Sequence, residues 1–465
     1  MLRDPGRMAR PGPCIMSTRT QEFDAVVVGS GTSAYYAADS LKNGGKKVAI
    51  VDERPYGGTC ALRGCQPKKY LVCNAEAVAM AAHLVGRGIV EAPRTDWPAL
   101  QALKNEFLDG RSEGEVKDWR KEGVATFHGR ARFTGPNELQ VGDELLRASH
   151  IVLATGASPR RISIPGEEHL AISDDFLDLA ELPDRIIFIG GGYISFEFAH
   201  VAIRAGAKEV TILHRSAQPM KAFDPDIVKV ILEASADAGI KVIVNEEPVS
   251  VEKNDGGLHL LGSSGTRYDA DFIVEAIGRV PNLSVLEGGH GQVDSSKRGI
   301  VVNTHMQSVS NPAVYAVGDC AATPYMLAPT ADAEGKVAAR NILEGNVAEM
   351  DYSVVPSATF TIPSIGSVGL TEAEAKDQGF DFRVNRGSTT GWASAKRIGE
   401  DHGAYKVIID NKSGMILGAH LARHNASEAI NVLALAMKHR IPAADLADFM
   451  WAYPTIVSDL KYMVK

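Results

Sequence analysis

Short runs of consecutive apolar residues alternate along this chain with glycine-rich turns and with longer stretches of helical periodicity. The run at 25–28, Ala-Val-Val-Val, is apolar at every position, which is typical of a parallel strand buried on both faces. A helical stretch follows and ends at the glycines of 44–45, and a second apolar run occupies 48–51. This order predicts a β-α-β unit with two parallel strands.

The turn between the first strand and its helix carries small residues at the spacing of a dinucleotide-binding fingerprint. Gly29, Ser30 and Gly31 form the turn, and Ala34 occupies the third small-residue position. Such residues let the backbone approach a pyrophosphate at the N-terminus of the helix. Asp52 ends the return strand, where an acidic side chain can bind the ribose hydroxyls of a dinucleotide. The sequence therefore predicts a first dinucleotide site here.

The same pattern recurs in the middle of the chain. An apolar run at 186–189 leads into three glycines and a helix that reaches about residue 205, and the return strand spans 210–213. Ser195 takes the third small-residue position and is small enough for close packing of helix and strand. Two such units predict two dinucleotides bound in two domains. The residues expected to line the second site are Gly190, Gly192 and Ile194.

Basic residues follow the second return strand. His214 and Arg215 stand where an acidic residue would bind the 2′-hydroxyl of NAD, and Lys221 follows six residues later. Basic groups at this place suit the 2′-phosphate of NADP. The pattern favours NADP over NAD, and a solvated polar turn is the alternative interpretation.

Two cysteines stand five positions apart in the segment 57–69, Gly-Gly-Thr-Cys-Ala-Leu-Arg-Gly-Cys-Gln-Pro-Lys-Lys. Pro67 suits the first turn of a helix, and the alanine-rich run 70–84 continues that helix. Cys65 is therefore predicted at a helix N-terminus, where free N–H groups and the dipole favour a thiolate. Lys68 adds positive charge about one turn further on. The spacing alone is equally compatible with two structural thiols, and the dinucleotide patterns around it favour a redox pair with Cys60.

Further apolar runs complete the predicted architecture. Strands are expected within 149–156, 272–279 and 313–319, and from residue 352 the chain changes to short strands with one helix at 427–438. The predicted fold class is α/β, with two Rossmann-like dinucleotide-binding domains and a C-terminal α+β domain.

Length, charge and cysteine content narrow the class of protein. The 465 residues are enough for about three domains. A net charge of −8 argues against nucleic acid or an anionic membrane surface as the main partner. The absence of a long apolar run argues against a membrane span, and five cysteines do not make a secreted disulfide scaffold. We expect a cytoplasmic protein without a metal site.

The first 21 residues are rich in arginine and proline and lack the apolar core of a signal peptide. We expect a disordered N-terminal extension over residues 1–21, with Met16 as an alternative start. An arginine-rich organellar leader is the alternative. Cys14 lies in this segment and is expected to have no catalytic role.

Taken in order from Phe23 to Lys465, these blocks resemble the FAD-dependent pyridine nucleotide–disulfide oxidoreductases, especially glutathione reductase and its relatives. The resemblance implies an enzyme that binds FAD and NADPH, with NADH possible, and that acts as a homodimer. It implies that electrons pass from NADPH through FAD to a Cys60–Cys65 disulfide and on to a small-molecule acceptor. The implied domains are an FAD-binding domain at 22–158 and 289–350, an NAD(P)-binding domain at 159–288 and a dimerisation domain at 351–465.

The resemblance also implies roles for single residues. Cys65 is the thiol next to the flavin, and Cys60 exchanges electrons with the acceptor. Lys68 pairs with Glu197 beside the flavin, and Asp319 contacts the ribityl–phosphate region of FAD. The remaining implied cofactor contacts are Gly58, Thr59, Ala131, Thr155, Gly156, Gly278, Arg279 and Gly318. Cys73 and Cys320 match no catalytic position and are expected to be buried small residues.

The chain departs from this family near its C-terminus. Tyr453 stands where disulfide-reducing members have a histidine base, and Ser458 replaces the glutamate that orients it, with Asp459 one position late. A phenol accepts a proton less readily than an imidazole near neutral pH. Tyrosine at this position resembles mercuric reductase. The leading hypothesis is reduction of a small disulfide or similar acceptor. The alternatives are reduction of metal ions, quinones or oxygen, and a redox-sensing flavoprotein with little turnover.

Overall fold

The computed structural model describes residues 19–465. Cys14 and most of the predicted N-terminal extension lie outside the described residues, whereas the first strand already begins at Arg19. The strands are β1 (Arg19–Val28), β2 (Val48–Asp52), β3 (Ala125–His128), β4 (Ala131–Gly135), β5 (Glu138–Val141), β6 (Glu144–Leu153), β7 (Ala157–Pro159), β8 (Arg185–Ile189), β9 (Glu209–His214), β10 (Ile240–Val244), β11 (Pro248–Asn254), β12 (Gly257–Gly262), β13 (Arg267–Ala270), β14 (Phe272–Glu275), β15 (Arg279–Pro281), β16 (Ser295–Ser296), β17 (Gly299–Ile300), β18 (Val314–Ala316), β19 (Ser357–Thr359), β20 (Ser364–Gly369), β21 (Phe382–Ser388), β22 (Ala404–Asp410) and β23 (Ile416–Arg423).

The sequence predicts a helix after each of the two glycine turns and another that starts near Cys65. A helix is found at each of these three places: α1, α7 and α3. They are α1 (Thr32–Asn43), α2 (Gly58–Arg63), α3 (Cys65–His83), α4 (Trp97–Leu108), α5 (Arg111–Lys121), α6 (Ser173–Leu177), α7 (Tyr193–Ala205), α8 (Pro225–Asp237), α9 (Ala328–Glu344), α10 (Glu372–Asp377), α11 (Ala393–Lys396), α12 (Ala426–Lys438), α13 (Ala443–Asp448) and α14 (Leu460–Met463).

The chain divides into two compact units. Unit 1 comprises the described residues from Arg19 to Tyr56 together with Glu115–Gly156 and Asn282–Glu349. Unit 2 comprises Gly57–Gly114, Ala157–Pro281 and Met350–Lys465. The predicted assignment of segments to FAD-binding, NAD(P)-binding and dimerisation domains stays a prediction.

Unit 1 is built on one twisted sheet. Its parallel part has the order β3-β2-β1-β6, and β18 pairs with the second half of β6, also in parallel. Val26 lies opposite Ala49 on one side and Ile151 on the other, and all three side chains are fully buried. Strands flanked on both sides in this way need apolar residues at every position, which is why the runs at 25–28 and 48–51 do not alternate. The predicted first β-α-β unit is confirmed.

Unit 2 contains a second parallel sheet, in the order β10-β9-β8-β14. The predicted second β-α-β unit, β8-α7-β9, is confirmed. The rings of Phe176, Phe188 and Phe198 pack against one another beside this sheet, with centroids 4.5 to 6.5 Å apart. Leu71 and Val72 of α3 join the same buried cluster. This packing fixes α3, and with it Cys65 at its N-terminus, against helix α7 of the second β-α-β unit.

The C-terminal part of unit 2 is an antiparallel sheet, β19-β20-β23-β22-β21, with α12 packed on one face. Apolar side chains of β22 and β23 are buried against α12, among them Val407, Ile409 and Leu421. The predicted C-terminal α+β region is therefore confirmed. No helix between residues 19 and 465 is both long enough and apolar enough to cross a membrane.

Candidate active site

The two cysteines lie on two helices that meet at a break. Cys60 is on the short helix α2, and Cys65 is the first residue of α3. The predicted helix N-terminus at Cys65 is confirmed, while Cys60 lies on a helix of its own rather than on the glycine-rich turn. Gly64 separates the helices, and a Cβ added there would come within 2.9 Å of the Thr59 carbonyl oxygen. A glycine at this place lets the chain fold back tightly between the two cysteines.

Lys68 and Glu197 form the ion pair that the family resemblance implies. The Lys68 ammonium donates to one carboxylate oxygen of Glu197 over 2.7 Å, and the Glu197 side chain is only 1% exposed. The other carboxylate oxygen accepts the backbone N–H of Phe360 over 2.8 Å. The Phe360 ring also lies 4.8 Å from the Lys68 ammonium. Both oxygens of this buried carboxylate are thus satisfied, as burial of a charge requires.

The charges around Cys65 favour its thiolate. Its pKa is lowered to about 7, chiefly by a hydrogen bond from Cys60, against the opposing effect of burial. The positive charge of Lys68 lowers this pKa further, and the negative charge of Glu197 raises it. Near neutral pH about half of the Cys65 side chains are then thiolates, the form that exchanges with disulfides.

The other two described cysteines differ from each other. Cys320 is buried as predicted, and its thiol donates to the carbonyl oxygens of Leu153 and Val317, each over 3.3 Å. Cys73 is exposed, so the prediction that it is buried was wrong. The buried positions of α3, such as Leu71 and Ala75, lie on one face of the helix, and position 73 falls on the opposite face.

Tyr453 lies in the C-terminal segment of unit 2 and is 74% exposed. The Lys461 ammonium lies 5.7 Å from the centre of the Tyr453 ring, and the peptide bond between Tyr453 and Pro454 is cis. Ser458 is buried, and its hydroxyl donates to the Thr455 carbonyl oxygen over 2.6 Å rather than to Tyr453. The residue that replaces the orienting glutamate therefore closes its own turn.

Asp459 has a different partner from the one a base-orienting carboxylate would have. It forms a 2.9 Å ion pair with the buried guanidinium of Arg423 and accepts a hydrogen bond from the Ser394 hydroxyl. Since this carboxylate binds Arg423, it does not take the place of the glutamate that would orient the residue at position 453.

In unit 1, the first fingerprint has the geometry of a dinucleotide cradle. Gly29 has a φ of 114°, and a Cβ added there would lie 2.1 Å from the Ala154 carbonyl oxygen, so no side chain fits. Gly31 is the N-cap residue of α1, and the buried methyl group of Ala34 lies in the first turn of the helix. The Ser30 hydroxyl donates to Asp52 over 2.6 Å. The bare N-terminus of α1 and the aligned carboxylate fit the pyrophosphate and ribose of a dinucleotide such as FAD.

Four further predicted residues of unit 1 lie around the same turn. Gly318 approaches α1 so closely that a Cβ on it would lie 2.7 Å from the Ser33 hydroxyl oxygen. Asp319 follows Gly318 in a single 3₁₀ turn after β18. Thr155 donates to the Asn282 carbonyl oxygen over 2.6 Å and precedes Gly156, which has a φ of 66°. These residues all stand at the carboxyl ends of parallel strands, where ligands bind in such sheets.

Other predicted cofactor contacts lie elsewhere. Ala131 is the buried first residue of β4, and Gly58 and Thr59 lie on α2 in unit 2.

In unit 2, the second fingerprint repeats the cradle. Gly190 has a φ of 115°, and a Cβ added to it would lie 2.4 Å from the Ala276 carbonyl oxygen. Gly192 is the N-cap residue of α7, with Ile194 half-buried in the first turn and Ser195 buried next to it. This backbone also fits a dinucleotide pyrophosphate.

The basic residues after β9 divide into two kinds. The His214 ring packs over Gly191, whose added Cβ would lie 2.5 Å from the ring, and it hydrogen bonds with Ser216 over 2.8 Å. Burial lowers the pKa of His214. Arg215 and Lys221 are exposed. The two exposed cations, rather than His214, are therefore available to an anionic group.

Gly278 and Arg279 lie where the chain of unit 2 returns beside β7. Gly278 has a φ of 108°, and its carbonyl oxygen accepts the N–H of Arg160 over 2.9 Å. The Arg279 guanidinium donates to the Ala157 carbonyl oxygen over 2.5 Å. Arg279 thus has a structural partner in addition to its predicted role.

Two residues with contacts on or to helix α7, Phe360 and His200, carry no motif that predicts them. Phe360 binds Glu197 through its backbone N–H and Lys68 through its ring. His200, three residues after Glu197 on α7, is fully buried and accepts the backbone N–H of Ile362 over 3.3 Å. The spacing of three on one helix face is the signal that could have indicated His200.

Comparison with known proteins identifies the family. The model of the pyridine nucleotide-disulphide oxidoreductases matches residues 23–335, and the model of their dimerisation domain matches residues 355–464. The chain belongs to this family. It is accordingly an enzyme of the FAD-dependent pyridine nucleotide-disulphide oxidoreductases, whose members use FAD and a pyridine nucleotide.

Relatives with different activities match this oxidoreductase about equally well. The dihydrolipoyl dehydrogenase of Chlamydia muridarum is 32% identical over 446 residues, which cover 94% of this chain and 95% of that protein. The glutathione reductase of Burkholderia cepacia is 31% identical, covering 94% and 97%. The mercuric reductase of Staphylococcus aureus is 30% identical, covering 95% and 82%.

A solved structure shares the whole architecture. The HOCl-induced flavoprotein disulfide reductase RclA of Escherichia coli, in a Cu(II) complex, matches this oxidoreductase with a TM-score of 0.86. The two sequences are 25% identical, and the match covers 96% of this chain and 99% of that chain. The likeness extends to both nucleotide-binding regions and the C-terminal α+β region, which confirms the predicted fold class.

Proposed function

We propose that this protein is an NADPH-dependent flavoenzyme that passes two electrons to the Cys60–Cys65 pair and from there to a small disulfide or similar acceptor. The observation that carries the proposal is the environment of Cys65, whose pKa of about 7 is set by Cys60 and by the Lys68–Glu197 pair. A cysteine with only a structural role needs no such environment. When bound, FAD and NADPH supply the hydride and two-electron chemistry, and the two cradles fit them.

The thiols then carry out the exchange with the acceptor. A Cys60 thiolate attacks one sulfur of the acceptor disulfide, so that a mixed disulfide forms and the first thiolate leaves. The Cys65 thiolate attacks the Cys60 sulfur, which releases the second acceptor thiolate and restores the Cys60–Cys65 disulfide. NADPH and one proton are consumed for each acceptor disulfide converted to two thiols. Solvent supplies this one proton.

The preference for NADPH rests on the exposed cations of Arg215 and Lys221. We propose that these two residues bind the 2′-phosphate. The His214 ring packs over Gly191 in the glycine turn. Because burial lowers its pKa and so favours the neutral ring, we do not assign it to the phosphate.

An acceptor panel with purified holoenzyme tests the proposal. Oxidation of NADPH and NADH is followed with glutathione disulfide, lipoamide, the chromogenic disulfide DTNB, a quinone and Cu(II) or Hg(II) salts. The proposal predicts turnover with a disulfide, faster with NADPH, that is lost in Cys60→Ser. Flavin reduction by NADPH without turnover of any acceptor would instead indicate a redox sensor.

Reduction of a metal ion is the second candidate function. The C-terminal segment presents the exposed phenol of Tyr453 in place of a histidine base, and Ser458 is turned inward. Metal-ion reduction needs no such base, and the RclA structure contains Cu(II). Among residues 19–465, no group of three or more potential ligands is placed to hold a resident metal ion. A metal substrate would therefore bind to the thiol pair itself, and turnover of Cu(II) or Hg(II) without disulfides would favour this candidate.

We further propose that the enzyme is a homodimer. The dimerisation-domain model matches residues 355–464, and this region exposes large apolar side chains that a partner could cover. They include Leu435, Phe449 and Met450. Light scattering coupled to gel filtration should give twice the mass of one chain.

A further inference from the structure

Arg423 is the largest side chain that is completely buried in the described part of the chain, at 1% exposure. It ends strand β23, where its carbonyl oxygen accepts the Ser364 hydroxyl over 3.0 Å. Its guanidinium donates from one terminal nitrogen to Asp459 over 2.9 Å and to Ser394 over 3.0 Å. The Ser394 hydroxyl in turn donates to Asp459. One buried cation thus joins the sheet, helix α11 and the C-terminal segment.

The charge of Asp459 is needed at this place. A buried guanidinium is costly unless a carboxylate pairs with it. The other two nitrogens of the Arg423 guanidinium have no hydrogen-bond partner among the described residues. Glu400 is the other carboxylate near it, but its side chain accepts the backbone N–H of His424, whereas the ion pair of Arg423 is with Asp459. Asp459 therefore provides the principal counter-charge for Arg423.

A continuous set of hydrogen bonds connects Asp459 back to the neighbourhood of Tyr453. Ser458, the residue before Asp459, donates its hydroxyl to the Thr455 carbonyl oxygen and its N–H to the Thr455 hydroxyl oxygen over 3.1 Å. The Thr455 hydroxyl donates to the Ala452 carbonyl oxygen over 2.8 Å. The segment 452–459 is consequently a closed turn that is tied to the core at Asp459.

A cavity of about 290 Å³ lies beside this turn. Its walls include Tyr453, Trp392, Asp459 and Tyr462. The Trp392 ring also lies 5.5 Å from the Arg423 guanidinium. The ion pair thus borders the same space as the exposed tyrosine.

We propose that Arg423, through Asp459, is a positioning residue that fixes the segment 452–459 and so sets the place of Tyr453 on the acceptor side of the reaction. The proposal rests on the proposed function, in which this C-terminal segment serves the transfer from the thiol pair to the acceptor. Ser458 bonds to Thr455 instead of orienting residue 453, and the buried ion pair holds the segment in one position.

The two halves of the reaction separate this role from a purely structural one. Positioning of the C-terminal segment affects transfer to the acceptor, whereas reduction of the protein by NADPH uses the nucleotide cradles and the Lys68 region. We therefore expect Asp459→Asn to lower the rate of reoxidation by DTNB about ten- to a hundredfold, the range for a small misplacement. The rate of reduction by NADPH in stopped flow should stay within about twofold of wild type.

Two further variants make the test decisive. Asp459→Asn leaves an uncompensated buried cation and can unfold the protein, so Arg423→Gln/Asp459→Asn, which removes both charges, is measured with it. The double variant should retain flavin and fast reduction but reoxidise slowly. Asp445→Asn, an exposed aspartate in the same C-terminal region, is the matched control and should behave as wild type.

Wild-type reoxidation in the folded double variant would overturn the proposal, as would an equal fall of both half-reactions. Failure of the proposed function looks different. In that case wild type itself does not turn over DTNB, or Cys60→Ser turns it over as well as wild type does.

Discussion

The ion pair beside Cys65 offers a test in which the two partners have opposite effects on one pKa. Lys68 lowers the pKa of the Cys65 thiol, and Glu197 raises it. Replacing Lys68 by methionine should therefore raise this pKa, and replacing Glu197 by glutamine should lower it. A structural ion pair unrelated to the thiol would give no such pattern.

The expected shift in Lys68→Met is limited by how far the surroundings lower the Cys65 pKa in total. The Cys65 pKa lies at about 7 against an ordinary value of 9.0, so the surroundings lower it by about two units in total. Lys68 is one of several contributors, and we expect Lys68→Met to restore about one unit. At pH 7 the thiolate fraction then falls from about one half to about one tenth, and alkylation slows about fivefold.

The assay is the pH dependence of iodoacetamide alkylation at Cys65 in the reduced holoenzyme, with the modified peptide quantified by mass spectrometry. All variants carry Cys73→Ser, because the exposed Cys73 would react with the same reagent. Lys69→Met is the matched control, since the Lys69 ammonium lies 4.0 Å from Glu76 and not in the Glu197 pair. An unchanged midpoint in Lys68→Met, or shifts of the same sign in both variants, would refute the reasoning.

Three other predictions concern the cofactors and the stability of the fold. In steady-state kinetics, Arg215→Glu should raise the KM for NADPH about tenfold or more and leave the KM for NADH nearly unchanged. An equal rise of both KM values would show that Arg215 does not bind the 2′-phosphate. Lys406→Met should lower the free energy of unfolding, measured by urea denaturation, by about 3–5 kcal/mol, because it leaves Asp224, 1% exposed, without its ion pair; a decrease below about 1 kcal/mol would contradict this. Gly29→Ala should lower the ratio of flavin to protein, since the added Cβ would collide with the Ala154 carbonyl oxygen. Full flavin content in this variant would contradict the prediction that this turn binds FAD.

Local sequence patterns were sufficient for the elements that bind nucleotides. The two β-α-β units follow from apolar runs joined to glycine turns, because both the burial of parallel strands and the close backbone approach restrict the residue types directly. The helix start at Cys65 follows in the same way from Pro67 and the alanine-rich run after it. Roles such as the Lys68–Glu197 pair needed the resemblance to a family.

Contacts between distant segments were not predictable from such patterns. Asp459 and Arg423 are 36 residues apart, and neither belongs to a periodic or glycine-rich motif. Phe360 binds Glu197 through its backbone N–H, a group that every residue except proline has, so its residue type gives no sign of this bond. Cys73 could have been placed on the exposed face from the helical spacing of its apolar neighbours, and its residue type misled the interpretation.

The interruption at Gly64 decides what the spacing of the two cysteines means. In one continuous helix, residues five positions apart differ by about 140° around the axis and by about 7.5 Å along it. Sulfurs on such a helix would point in different directions and could not interact. The break between α2 and α3 brings Cys60 within hydrogen-bonding reach of Cys65. A residue that restored the helical path at position 64 would leave both thiols in the chain and abolish them as a pair.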